Sequence, residues 1–238
     1  MKIYFDLRVL ALISSMFFGF KIQDSKPYSI SEYVIERQAY SLSYDGQHKQ
    51  AKWVYEYLTE RNLEKNADRG GMGFKSDPDL PKKIQATKAD YQKSGFDRGH
   101  LCPAADASFD ERALQETFYL SNISPQFPQF NRAYWGKLER YVRTLLLEYK
   151  VLHVYAGPLY LPYEENGRKY VKYEVIGENH VAVPTHFFKV IFLDADKGLK
   201  PLVAFILPNK AIGEGSPLDE FLTTVEKVEK AAGFIFPR

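Results

Sequence analysis

The chain of 238 residues has one cysteine, Cys102, which excludes an intrachain disulfide and any zinc site built on cysteines. Charge of one sign is also missing: 32 Lys and Arg stand against 30 Asp and Glu, a net of +2. Bulk charge therefore gives no general attraction to a polyanion, and any such site must arise by local clustering. Long apolar runs are absent. Val9 to Phe20, broken by Ser14, Ser15 and Gly19, is too short to cross a hydrocarbon core of about 30 Å. There is no internal repeat and no nucleotide-type phosphate loop, because no Gly-Lys-Ser/Thr follows Gly70, Gly71 and Gly73. No cluster of carboxylates is evident that would hold two metals about 4 Å apart. Disorder is excluded by composition, with 45% hydrophobic and 26% charged residues.

The N-terminus has a secretory character. Lys2 and Arg8 precede the apolar stretch, the order seen in a signal peptide, and no A-x-A-like cleavage pattern follows. Residues 1–20 are expected to be a signal peptide or an uncleaved N-terminal anchor, and residues 21–32 a polar linker. Residues 33–238 are expected to form one domain, secreted or periplasmic, with no stable membrane span.

Within the domain, Tyr40, Leu42 and Tyr44 alternate as in a strand. Ala51 to Leu63 fits a helix or a long strand equally. Residues 65–87, with Asp77-Pro78 and Leu80-Pro81, form a loop that borders a substrate groove or is plain surface. From Asn131 to Tyr149, Tyr134, Trp135, Leu138, Tyr141, Val142, Leu145 and Leu146 recur at helical spacing. Strands are expected at 151–156, 181–192 and 202–207, and a closing helix over 218–232, stopped by Gly233. Helices and strands do not alternate regularly, so the expected class is α+β.

The chemistry concentrates at Asp97-Arg98-Gly99-His100. An arginine that can grip a phosphate stands two residues from an imidazole that can take a proton near neutral pH. Of the five histidines, His153 and His186 lie in strand-like apolar runs, and His48 and His180 in polar or turn segments; only His100 has this context. On the following helix, Glu139 lies about 80° around from Asn131 and Arg143 about 40° further, with roughly 12 Å of rise between Asn131 and Glu139. Asn131 then suits a direct metal ligand, and Glu139 an outer partner holding a water. The alternatives are a helix cap for Asn131 and an i,i+4 pair for Glu139 and Arg143. A neutral amide is too weak a ligand for zinc but suits Mg²⁺, which keeps several of its waters.

These residues carry a resemblance. Asp97 to His100, the segment Tyr119 to Gln126, and Asn131-x-x-x-Trp135-x-x-Leu138-Glu139 resemble the DNA/RNA non-specific endonucleases, the family of the secreted sugar-non-specific nucleases and of endonuclease G. Tyr155 to Pro158, Val183 to Lys189 and Ala204 to Asn209 extend the likeness over roughly residues 33–236. The resemblance implies a ββα-metal endonuclease fold, with a central antiparallel sheet flanked by helices. It implies a Mg²⁺-dependent endonuclease, with Mn²⁺ able to substitute, that cleaves DNA and RNA to leave 5′-phosphates. His100 is then the general base and Asn131 the metal ligand, while Glu139 orients one of the waters that fill the metal's remaining positions. Arg98 and Arg143 bind substrate and steady developing charge, and Asn122 is a further catalytic residue. A homodimer is also implied, though no interface can be read from the chain. One departure stands out: an arginine of the secreted members is replaced here by Met72, and Arg69 is too loosely aligned to join the catalytic set. Two other readings stay open, a nucleic-acid-binding module of the same fold without catalysis and a phosphodiesterase for a non-nucleic substrate.

Overall fold

The computed structural model describes residues 32–213 and 215–237. The expected signal peptide or anchor, and all of the linker except Glu32, lie outside the described residues. Strands β1 (Glu32–Glu36), β2 (Ser41–Asp45) and β3 (Gln50–Thr59) open the fold. A long segment of 3₁₀ turns then leads to β4 (Asp97–His100), helix α1 (Glu111–Glu116) and β5 (Ile123–Gln126). Helix α2 (Gly136–Tyr149) is preceded without a break by a π-helical turn, Phe130–Trp135. The chain continues through β6 (Val151–Leu159), the exposed pair β7 (Tyr163–Glu165) and β8 (Arg168–Tyr170), and the short β9 (Val175–Ile176) and β10 (Val181–Ala182). It ends with β11 (His186–Ala195), β12 (Gly198–Pro208), β13 (Leu222–Thr223) and helix α3 (Val225–Ala232).

Seven strands form the main sheet in the order β1-β2-β3-β6-β11-β12-β13, antiparallel at every pairing. Both faces of its centre are covered. Val54, Leu58, Val154, Ala156 and Ile191 pack with Trp135, Leu138 and Val142 of the α2 side. Tyr155, Phe188, Val190 and Phe192 pack with Val225 and Val228 of α3 and with Phe236. The α+β class and the central antiparallel sheet flanked by helices are thus the observed architecture.

The boundaries differ where two periods coincide or proline intervenes. Ala51 to Leu63 is a strand followed by a 3₁₀ turn, Glu60–Leu63. Val54 and Leu58 are four apart, which matches a helix, but four is also twice the strand period. The expected strand 181–192 is split at Pro184, which has no N–H for a ladder. The expected closing helix starts late, at Val225. Residues 218–221 form a 3₁₀ turn, and Thr224 caps α3 by accepting from the Lys227 N–H. Gly233 ends α3 with φ 75°, where a side chain would be strained.

Strands β4 and β5 stand apart from the sheet and position the site. They pair antiparallel, Asp97 opposite Gln126 and His100 opposite Ile123. The Ser124 hydroxyl donates to Gln50 Oε1, fastening β5 to β3. Asn209, at the end of β12, accepts from the Phe127 N–H at 2.8 Å and donates to Pro125 O at 3.1 Å, fixing where the chain leaves β5. Gly99 is required by packing. A Cβ there would fall 2.1 Å from the Gln126 amide, which is completely buried and has no room to withdraw. Gly99→Ala is expected to lower stability by about 2 kcal/mol, an overpacking penalty, seen as a shifted urea midpoint with an unchanged slope. A midpoint equal to wild type would show that Gln126 yields.

Candidate active site

Four of the residues singled out in the sequence meet in one cleft of about 320 Å³: Arg98, His100, Asn131 and Glu139, joined by Arg69 and Arg132. Strand β4 delivers Arg98 and His100, and the π-helical turn delivers Asn131 and Arg132. The wider winding of that turn departs from 100° per residue, so the helical-wheel estimate does not hold across residues 130–135. Asn131 and Glu139 border the same space.

His100 is gripped by two aromatic rings. Phe74 lies 5.4 Å away and Phe118 meets it edge-on at 5.1 Å, centroid to centroid. Those rings are set by a short bridge in which the Lys75 N–H donates to Phe118 O and the Leu120 N–H donates to Lys75 O. The Trp135 indole N–H donates to the His100 carbonyl at 3.1 Å, tying strand to helix. Burial holds the imidazole pKa down to about 3, and the nearby Arg69 cation adds to the effect, so the ring is neutral at physiological pH. Its Nε2 is buried without a hydrogen-bond partner.

Asp97 organises the other half. Its carboxylate accepts from Asn131 Nδ2 at 2.9 Å and from Arg132 Nε and Nη2 at 2.8 and 2.7 Å. Burial opposes its charge, but these donors outweigh it and hold the carboxyl below the usual range. With Nδ2 committed to Asp97, the Asn131 oxygen is the free end of the amide, and among the described residues none donates to it. An oxygen so aimed fits a hard cation that keeps most of its waters. Among the described residues, no group of three His, Cys, Asp or Glu is placed to hold an ion. The donor set therefore fits a hydrated Mg²⁺ and not a zinc cage.

Two arginines rest on the rings that grip the imidazole. Arg98 lies over Phe74 at 4.8 Å and Arg69 over Phe118 at 5.1 Å. Such stacking orders a guanidinium while leaving its N–H fork available for a phosphate.

A family model described as DNA/RNA non-specific endonuclease matches residues 21–238. The chain belongs to that family. It is 45% identical over 201 residues to mitochondrial endonuclease G of Homo sapiens, covering 84% of this chain and 68% of the human protein. It is 44% identical over 206 residues to nuclease C1 of Cunninghamella echinulata var. echinulata, with 85% and 81% covered. Human mitochondrial nuclease EXOG is 41% identical over 201 residues, with 83% and 55% covered. Among solved structures, a chain of the EndoG/EndoGI complex superposes with a TM-score of 0.81 at 42% identity, covering 85% of this chain and 84% of that one.

This DNA/RNA non-specific endonuclease is accordingly a nuclease, a hydrolase acting on nucleic acids. The secreted or periplasmic location expected from its N-terminus is corrected by the same relatives, since endonuclease G and EXOG are named as mitochondrial proteins. A short apolar run after basic residues is a compositional sign that does not by itself choose a compartment. Among the described residues, no helix is long and apolar enough to cross a membrane.

Two singled-out residues stand apart from the cleft lining. Arg143 donates to Asp106 Oδ1 at 2.7 Å, so its ion partner is Asp106 and not Glu139. Asn122 is completely buried and wholly engaged with backbone. Its Oδ1 accepts from the Cys102 N–H at 2.9 Å, and Nδ2 donates to the Cys102 and Thr117 carbonyls at 3.0 Å. It reaches the site only by clamping the chain just after His100. Arg69, left out on sequence grounds, lines the cleft, and Asp97 positions Asn131. The glycines at 70, 71 and 73 masked the first, because such a loop has no period from which to place a side chain. Asn122→Ala strands buried backbone groups and is expected to cost about 3 kcal/mol. Thermal unfolding should begin well below wild type, while kcat measured on the folded fraction stays within a few-fold. A kcat loss of a hundredfold or more in folded protein would place Asn122 in the chemistry.

Proposed function

We propose that this nuclease is a Mg²⁺-dependent, sugar-non-specific endonuclease that hydrolyses DNA and RNA to 5′-phosphate products, with neutral His100 as the general base. The observation that carries the reading is the buried, unpartnered Nε2 of a histidine held neutral in a cleft lined by Arg69, Arg98, Arg132 and Asn131. A base must be unprotonated and free to accept, and His100 meets both conditions without help from an acidic partner.

Arg98 and Arg69 grip the phosphodiester from the two aromatic rings and supply charge where the pentacoordinate phosphorus builds it up. Glu139 orients the attacking water, and His100 Nε2 takes its proton as the oxygen bonds to phosphorus. The bond from phosphorus to the 3′-oxygen breaks with its electron pair going to that oxygen, which takes a proton from solvent to become the 3′-hydroxyl, so the phosphate stays on the 5′ side. Asn131 Oδ1 would hold a Mg²⁺, with Mn²⁺ accepted in its place; when bound, it supplies Lewis-acid neutralisation of phosphate charge. Contacts of this kind read phosphate and not base, which accounts for indifference to sequence and sugar.

Digestion of supercoiled plasmid, single-stranded DNA and RNA is expected with Mg²⁺ and is expected to stop on chelation. His100→Ala should lower kcat by about 10³-fold or more without changing near-UV circular dichroism. Near-normal digestion by that variant would sink the assignment.

The pH dependence follows from two opposite shifts. Burial raises the Glu139 carboxyl to about 7, and burial lowers His100 to about 3. As pH falls through about 7, Glu139 takes up a proton and loses its charge while His100 is still neutral. Activity should therefore decline on the acid side through Glu139. Glu139→Gln is expected to be slow and flat across that range. An acid limb that survives in Glu139→Gln would assign the limb to His100 instead.

A further inference from the structure

Between the main sheet and α2 lie five ionisable side chains: Glu56 on β3, Asp106 on the 3₁₀ turn after β4, Glu139 and Arg143 on α2, and Lys189 on β11. Glu56, Asp106 and Lys189 are almost wholly buried, 1%, 3% and 1% exposed. Burial on this scale is costly for charges unless they compensate one another. The strand register explains how two of them meet. Lys189 stands opposite Ala156, and Glu56 opposite Val154, so both project from the face that packs on α2. Their Cα atoms are about 12 Å apart at ordinary strand spacing, with Ala156 and Val154 between them on that face. The Lys189 ammonium ends 4.9 Å from the centre of the Trp135 ring, just before α2 begins and four residues ahead of Glu139.

The charges do not match one to one. Asp106 already accepts from Arg143 at 2.7 Å. That leaves Glu56, whose Oε2 is buried without a partner, and Glu139, with the buried Lys189 on the same sheet face as Glu56 and its ammonium over Trp135, one helical turn ahead of Glu139. At both acids burial favours the neutral form, and the Lys189 charge is the strongest influence against it. The other groups acting on Glu139 are Asp106, which opposes its charge, and Arg143 and Arg140 of its own helix, which favour it. Glu56 also faces Asp106, Glu139 and the Cys102 thiol.

We propose that Lys189 is a positioning residue of the nuclease site, the buried counter-ion that keeps the Glu139 carboxylate charged and ready to orient water. The inference rests on the role given to Glu139 above. It accounts for a lysine buried within an aromatic and aliphatic layer, where a charge is otherwise a liability.

The test compares wild type, Lys189→Met, the pair Glu56→Gln/Lys189→Met and Glu139→Gln in plasmid cleavage between about pH 5 and 9. Near-UV circular dichroism checks that each is folded. The double variant removes Glu56 together with Lys189, so no Glu56 carboxyl is left without its neighbouring cation even if Lys189→Met alone fails to fold. In the folded Lys189 variants the acid limb is expected to rise by about one pH unit. At pH 7, kcat should then fall about fivefold, with KM within twofold and near-wild-type kcat recovered at the alkaline end. A merely structural lysine would lower activity equally at every pH. That result, or an unmoved limb, overturns the proposal when wild type digests and Glu139→Gln is slow and flat. A Glu139→Gln variant as active as wild type overturns the role of Glu139, and this inference with it.

Discussion

The Asp97 carboxylate is the contact on which the site depends. It binds the Asn131 amide and the Arg132 guanidinium at once, joining the first residue of β4 to the π-helical turn before α2. His100 is the last residue of that strand, so fixing Asp97 to Asn131 fixes the imidazole proposed as base relative to the amide oxygen proposed to hold the metal. The Trp135 indole closes the same joint from the helix side by donating to the His100 carbonyl. Both halves of the site are thereby held on regular elements, with Asn209 and Ser124 anchoring β5 to the main sheet. Pre-organisation of this kind lets charge stabilisation act without rearrangement during the reaction.

Around that joint the protein uses burial in two opposite ways. Burial between Phe74 and Phe118 strips His100 of the water that would favour its protonation, and the same rings seat the two arginines. Burial works against the charge of Glu139 as well, and the cations Lys189, Arg143 and Arg140 oppose that effect. Burial thus favours the neutral form at both groups, unopposed at His100 and offset by cations at Glu139.

Much of this was legible in the sequence, and what was not has identifiable causes. The spacing from Arg98 to His100 and from Asn131 to Glu139 is local, so short motifs carry it and the four residues do meet. The stripe Leu138, Val142, Leu145 and Leu146 placed α2 because helical burial repeats at three and four residues. Arg69 was not legible: it lies in a loop and reaches the cleft by stacking on Phe118, a contact 49 positions away in the chain. Asn122 sits in a motif segment and looked chemical, yet its amide is spent on backbone; adjacency to a site does not distinguish support from reaction. The π-helical turn was equally hidden, since its residues carry the same apolar pattern as an α-helix. Lys189 read as part of a strand motif, and only the register across Ala156 and Val154 shows what it faces.

The most direct test of the site is diffraction from crystals soaked in Mn²⁺, with anomalous scattering used to place the ion. One peak is expected in the cleft, at about 2.1 Å from Asn131 Oδ1 and with its other positions taken by water. His100 Nε2 should lie clear of it. An ion bound to His100 Nε2, or seated among Glu56, Asp106 and Glu139, would contradict the assignment of Asn131 as ligand and His100 as base.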